Sequence, residues 1–306
     1  MTISMLESMK PKISFVMTYC TVEKDKHLLL DIKDWISQTD SEEIRKSTIA
    51  VINNINKYCE EPHEIILVDN SHTWEEVPMD NLRVIKGVQT LTKRGLKEHL
   101  GLKQHKDYEI IKKEYTDLKN LTMHVSLGMY LGSKEAKGDY VVLQHNDFYY
   151  HGNHFKDLMR EINKQYTYIS VDSKKIWLGT YAGFKEVRDI LGKDVKFSPF
   201  DGGYVRTEFG VSDMYFFMAK REFFNEYDVD WKYGDSNHGA TIKCIQEDRD
   251  FHHMRPYYDN PNFPTAEGTQ HTYYWDGKKF GTHLKGGISE NKMSNKMERD
   301  KWLRNL

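Results

Sequence analysis

Three cysteines in 306 residues, Cys20, Cys59 and Cys244, are too few, too widely spaced and odd in number for a disulfide framework or a zinc ribbon. They point to a reducing compartment and imply no thiol chemistry. No apolar run approaches the roughly 20 residues needed to span a bilayer, and Met1 to Lys12 lacks the apolar core of a signal peptide. The chain is therefore expected to be cytoplasmic, without a membrane span. Charge of one sign is lacking too: 44 basic against 46 acidic residues leave a formal net charge of −2. That excludes a global electrostatic attraction to nucleic acid or to an anionic membrane, so any anionic ligand must be met locally. The sequence contains no HExxH or Cys-His metal spacing, no repeat and no low-complexity segment.

Length and aromatic side chains are present instead. An α/β domain reaches roughly 200 to 250 residues, so one large domain with an elaboration fits this chain as well as two domains do. The 19 Tyr, 14 Phe, 6 Trp and 14 His suit a site that stacks rings and sugars, and equally an ordinary core.

The pivotal stretch is Gly138-Asp139-Tyr140-Val141-Val142-Leu143-Gln144-His145-Asn146-Asp147. Tyr140 to Leu143 form a short, nearly continuous apolar run, the mark of a central strand covered on both faces in a mostly parallel sheet. Ligands of open α/β sheets bind beyond the carboxyl ends of strands, so His145, Asn146 and Asp147 fall where chemistry is expected. Asp147 is the leading metal-ligand candidate, although an Asp after a strand more commonly starts a turn.

Upstream, Ile13 to Thr18 reads as the first strand, ending in Thr18-Tyr19. Asp40 with Glu43 makes a capping-box-like start to a helix whose Ile44, Thr48, Val51, Ile52, Ile55 and Cys59 share one face. Glu64 to Val68 is a second strand, followed by Asp69-Asn70-Ser71-His72. A strand, helix, strand order implies a parallel βαβ unit with both polar ends on one edge, which places a nucleotide pocket at Thr18, Tyr19, Asp69 and Asn70. Leu82 to Ile85 is a third strand, and Lys86 to Asn120 is a charged insertion whose Lys93, Arg94 and Lys97 could close over a diphosphate. Leu121, Val125, Gly128, Gly132 and Ala136 recur at spacings of three and four, a helix expected to pack closely on something flat. Gly138 suits the left-handed position that ends it.

Beyond Asp147, Asn153 to Ile162 is expected to be helical and Tyr168 to Val171 a strand. Trp177 to Glu208 reads as loops, Tyr215 to Ala219 as a strand running into a short helix with Phe223 and Phe224, and Ala240 to Ile245 as a helix. Trp231 to Gly239, containing Asp235, is a second polar constellation. Phe251 to Met254 is read as a last strand, Pro256 to Pro264 as loop and residues 289 to 306 as a helical tail packed on the domain or on a partner, including a second copy of the chain.

These pieces, in this order, resemble the GT-A nucleotide-sugar glycosyltransferases, especially the family 2-like members. The matching motifs are Ile13 to Thr18, Asp69-Asn70-Ser71, Ala136-Lys137-Gly138-Asp139, His145-Asn146-Asp147 and Tyr233-Gly234-Asp235-Ser236. The family's Asp-x-Asp has become His-Asn-Asp, and its late acidic pair retains one carboxylate, Asp235. The resemblance implies an α/β, GT-A-like, mostly parallel central sheet flanked by helices, with a C-terminal extension. It divides residues 1–255 into a nucleotide-sugar-binding half, 12–150, and an acceptor-binding half, 151–255, leaving 256–306 as the extension. It further implies transfer of a sugar from a nucleoside-diphosphate sugar, UDP-linked, to an acceptor hydroxyl with inversion.

The chemistry asks for a hard divalent ion at the leaving diphosphate, held by Asp147 and a later histidine. His253 is the first choice, with His252 and His271 beside it; Mn²⁺ tolerates imidazole better than Mg²⁺ does. The acceptor's proton calls for a carboxylate base, for which Asp235 is chosen over Asp213 and Glu208, although an Asp before a helix also serves as its cap. The rival readings are a noncatalytic nucleotide- or sugar-binding protein on the same fold and a nucleotidyltransferase.

Overall fold

A computed structural model describes residues 10–19, 41–87, 122–172, 176–177, 204–205, 212–227, 238–254, 256–257 and 270–284. The first strand, β1 (Ile13–Tyr19), is buried along its whole length, which its apolar sequence ISFVMTY permits on both faces. Helix α1 (Ser41–Tyr58) follows, and β2 (His63–Asp69) returns parallel to β1 with Tyr19 opposite Asp69. The two polar strand ends thus lie side by side. An edge strand, β3 (Leu82–Lys86), completes this flank of the sheet.

Helix α2 (Thr122–Glu135) lies across β1 and β2 because it is stripped of side chains where it touches them. A Cβ added at Gly128 would sit 2.4 Å from Thr18 Cγ2, and one at Gly132 would sit 2.2 Å from Val16 Cγ1. Gly138 corrects the sequence expectation: among the described glycines only Gly277 has a positive φ. What Gly138 supplies is space, since a Cβ there would lie 2.6 Å from the backbone nitrogen of Ser14.

Strand β4 (Tyr140–Gln144) is buried throughout and pairs parallel with β1. A turn at 145–147 leads to β5 (Phe148–Tyr150), then come helix α3 (Phe155–Lys164) and β6 (Tyr168–Asp172). The two-residue strands β7 (Ile176–Trp177) and β8 (Tyr204–Val205) pair with one another. Strand β9 (Ser212–Lys220) inserts antiparallel between β4 and β6, followed by the short α4 (Phe223–Glu226), α5 (His238–Gln246) and β10 (His252–Met254). The central sheet has the order β10-β6-β9-β4-β1-β2-β3, parallel except at β9. This is the α/β architecture expected from the sequence, a mostly parallel central sheet flanked by helices. No helix among the described residues is long and apolar enough to cross a membrane.

Alternating side chains of the sheet feed two cores. Phe15, Met17, Val142 and Phe216 face α1, α3 and β5, whereas Val16, Ile66, Leu143, Tyr168 and Phe217 face α2, α4 and α5. Burial pushes the Cys59 and Cys244 thiols up to about 12 and about 11, so both stay protonated at neutral pH; Cys20 lies outside the described residues.

The C-terminal segment departs most from expectation. Within the stretch read as loop, Pro256–Tyr257 forms β11, and β12 (Gln270–Trp275) and β13 (Lys278–Leu284) make a hairpin beyond it. Its turn, Asp276-Gly277, has φ of 47° and 73°, as the tightest hairpin turns require. Strand β13 then pairs with β5, giving a second sheet of order β11-β12-β13-β5. The extension is stitched to the strand that follows the pivotal turn. Asp40, Lys93, Arg94, Lys97, Glu208, Asp235 and residues 289 to 306 lie outside the described residues, and Asp213 is described for its backbone alone.

Candidate metal centre and nucleotide pocket

The turn after β4 is pinned at both ends. Gln144 is fully buried before it, and Phe148 after it is fully buried and stacked on Phe216 at 5.7 Å. Helix α1 holds the turn from the side: Asn146 Nδ2 donates to Thr48 Oγ1 at 3.2 Å. Asn54 clamps the backbone of Tyr150, its Nδ2 donating to the carbonyl at 3.1 Å while its Oδ1 accepts from the amide at 2.7 Å. With β13 on one edge and Asn54 on the other, β5 behaves as a strand paired on both sides. Asp147 is held accordingly.

His145, Asp147 and His283 converge there, with ligand atoms all within 4.8 Å of one another. His283 Nε2 approaches Asp147 Oδ1 to 3.0 Å and His145 Nδ1 approaches it to 3.9 Å. His283 reaches the site because β13 pairs it with Phe148, one residue past Asp147. Tyr215 of β9 fixes both imidazoles, stacking on His283 at 3.6 Å and 16° and meeting His145 edge-on at 4.8 Å. Its carbonyl also accepts the His145 amide at 3.4 Å.

The electrostatics suit a cation. Burial pushes His145 down to about 4, only partly opposed by Asp147, so its ring is neutral and offers a lone pair at neutral pH. Burial alone would raise the Asp147 carboxyl, but the His283 and His145 imidazoles hold it below the ordinary carboxylate value. His145 Nε2 is buried without a hydrogen-bond partner among the described residues, and the buried Asp147 Oδ1 is met by His283 Nε2 alone among them, at 3.0 Å. A buried polar atom left unpartnered costs about 1–3 kcal/mol, a cost that a bound ion would offset. Two imidazoles and one carboxylate fit a first-row transition ion better than Mg²⁺ or Ca²⁺.

The residues expected from the sequence to line a nucleotide pocket cluster at the neighbouring strand ends. Thr18, Tyr19, Asp69 and Asn70 are all buried, and the Asn70 amide donates to the Tyr19 carbonyl at 2.8 Å. Asp69 turns inward: its Oδ1 accepts from the Ser71 amide, the Ser71 hydroxyl and the His72 amide at 2.8–2.9 Å, and its Oδ2 accepts from the Trp74 amide at 2.8 Å. Its carboxylate shapes the loop, holding His72 at φ 58° and setting Trp74 edge-on to Tyr19 at 4.8 Å.

His253 lies elsewhere. Its Nε2 pairs with the Tyr168 hydroxyl at 2.9 Å, and that hydroxyl also meets Thr241 Oγ1 of α5 at 2.9 Å. Strand β10 stands three positions from β4 in the sheet, about 14 Å at the usual strand spacing. His252 packs against Tyr166 and Trp275. His271 is the backbone partner of His283 across the hairpin. Sequence reasoning missed His283, yet a signal existed: Asp276-Gly277 between runs of strand-forming residues marks a tight hairpin, which would have aligned His283 with the named His271.

No protein-family model matches the chain, and no curated protein matches it. Among solved structures, it resembles the bifunctional IspDF of Campylobacter jejuni at 10% identity and a TM-score of 0.40, over 78% of this chain but 48% of that one. The chain thus spans about half the length of that enzyme. It also resembles 4-diphosphocytidyl-2C-methyl-D-erythritol synthase of Anaerococcus prevotii at 10% identity and a TM-score of 0.36, over 84% of this chain and 94% of that one. Mouse xyloside xylosyltransferase 1, in its apo form, is similar at 11% identity and a TM-score of 0.38, over 79% and 85%.

Proposed function

We propose that this protein is a metal-dependent glycosyltransferase that moves a sugar from a nucleoside-diphosphate sugar, UDP-linked, to an acceptor hydroxyl. The observation that carries the proposal is the convergence of His145, Asp147 and His283 just beyond the carboxyl end of central β4, beside the polar ends of β1 and β2. When bound there, a divalent ion such as Mn²⁺ would supply positive charge to a leaving nucleoside diphosphate.

The chain's own residues do the rest. Asp147 contributes the one negative ligand, His145 contributes a neutral nitrogen because burial keeps it unprotonated, and Tyr215 holds His283 in register. Tyr19 and Trp74 form an aromatic wall beside a loop set rigidly by Asp69, which fits a nucleoside lying across β1 and β2 within the half at 12–150. Asp235, ahead of Asp213 and Glu208, takes the proton from the acceptor hydroxyl in the half at 151–255, and a single displacement assisted by one base inverts the anomeric carbon.

A screen of nucleotide sugars for metal-dependent release of nucleoside diphosphate tests this directly. Release of UDP that stops in chelator and in Asp147→Ala is the expected outcome. Pyrophosphate released from a nucleoside triphosphate would make the chain a nucleotidyltransferase instead, and tight binding of nucleotide sugars with no product would make it a binding module.

A further inference from the structure

A second cleft, of about 410 Å³, opens at the turn end of the β12–β13 hairpin, against the 151–154 turn and the first turn of α3. That volume lies within the ordinary range of small-ligand sites. It is lined by Trp275, Asp276, Lys278, His151, Asn153 and Asp157 among others. Four of its polar groups make no hydrogen bond or ion pair among the described residues: the Trp275 indole N–H, the Asn153 amide nitrogen, the Asp276 carboxylate and the Lys278 ammonium. Donors and acceptors are therefore mixed beside one half-buried indole. The acidic Asp157 and Asp276 balance Lys278 and Lys279, so the lining favours neither an anion nor a cation, and its polarity disfavours a lipid. A neutral ring with hydroxyls around its rim and C–H groups on its face satisfies all these groups together.

The cleft shares a strand with the metal centre. Lys279 lines it and His283 stands four residues further along β13, about 14 Å at the rise of an extended strand. We propose that this cleft is a carbohydrate subsite that holds a distal sugar of an oligosaccharide acceptor whose reacting hydroxyl lies near Asp147. The proposal rests on the glycosyl-transfer reading for the word acceptor, but binding of a sugar to the cleft needs neither donor nor metal.

The test is saturation-transfer NMR on the full chain in EDTA, with lactose, cellobiose, xylobiose and diacetylchitobiose as probes. At least one disaccharide should receive saturation in the wild type and in Asp147→Ala, with affinity weakened about tenfold or more in Trp275→Ala. Trp275 also packs edge-on to His252 at 5.3 Å, so the double variant Asn153→Asp/Lys278→Ala, which removes the Asn153 amide nitrogen and the Lys278 ammonium but keeps an Oδ1 acceptor for the Phe155 amide, asks the same question without touching that contact. It too should weaken binding. Absence of saturation with every probe, or binding unchanged in both cleft variants, overturns the subsite. Binding abolished by Asp147→Ala but not by the cleft variants would put the sugar at the metal centre, overturning the subsite while leaving glycosyl transfer standing. Failure of the transferase reading is seen separately, as absence of nucleoside diphosphate release.

Discussion

Two corners of this molecule pair histidines with neighbouring strands, and they use them differently. At the β4–β13 corner, His145 and His283 converge on the carboxylate of Asp147 and are braced by one tyrosine ring. At the β6–β10 corner, His253 meets the hydroxyl of Tyr168 and the faces of Phe251 and Tyr168, and His252 turns toward Tyr166 and Trp275. Imidazoles facing a buried carboxylate form a group that could hold a cation, whereas imidazoles facing a phenol and aromatic rings pack as core. The difference lies in the partner across the sheet, which no local sequence pattern displays.

Asp147 separates the two corners most sharply. Asp147→Ala should bring nucleoside diphosphate release to background and remove any enhancement of UDP binding by Mn²⁺, since a diphosphate and a divalent ion bind as a unit. Full activity in excess chelator would contradict it. Asp235→Asn should lower transfer by roughly 10² to 10⁴-fold with thermal stability unchanged, because asparagine caps a helix about as well as aspartate but cannot serve as a base. A nearly normal rate in this variant would move the base to Glu208 or Asp213.

Acid should weaken the first corner in the metal-free protein. The unfolded chain protonates His145 near 6.5 and the folded chain only near 4, so the unfolded state binds more protons between those values. Stability is fully present above about 6.5 and falls as pH drops toward 4, by an amount on the order of 3 kcal/mol. Asp147, held below its usual value, adds a loss at still lower pH. Denaturant melts at pH 7 and pH 4.5 should show the fall, and His145→Gln should flatten it. Tyr215→Leu should cost about tenfold in Mn²⁺ affinity, the usual effect of losing a group that orients a ligand, while Tyr215→Phe keeps the stack and stays close to wild type. The smallest effect belongs to the second corner: His253→Ala removes the hydrogen bond to Tyr168 and should cost about 1 kcal/mol of stability.

Much of the fold was legible because its central strands carry their burial in their composition. Ile13 to Thr18, Glu64 to Val68 and Tyr140 to Leu143 are apolar on both faces, and all three are buried parallel strands of the sheet. The small residues Gly128 and Gly132 announced a helix pressed against a flat surface. Gly138 was placed correctly at the helix–strand junction but for another cause, close approach to β1 in place of a left-handed φ. The centre was half legible. His145 and Asp147 follow a strand whose end points at the ligand side, but His283 lies 136 positions beyond Asp147 and arrives only through pairing of β13 with β5. Long-range pairing leaves a weak trace in local periodicity.

Mn²⁺ titration followed by electron paramagnetic resonance asks whether the cation sits on His145, Asp147 and His283. Wild type and His253→Ala should bind Mn²⁺ alike, His283→Ala should lose about 10 to 100-fold in affinity, and Asp147→Ala should lose binding altogether. Unchanged binding in His283→Ala together with loss in His253→Ala would contradict that placement.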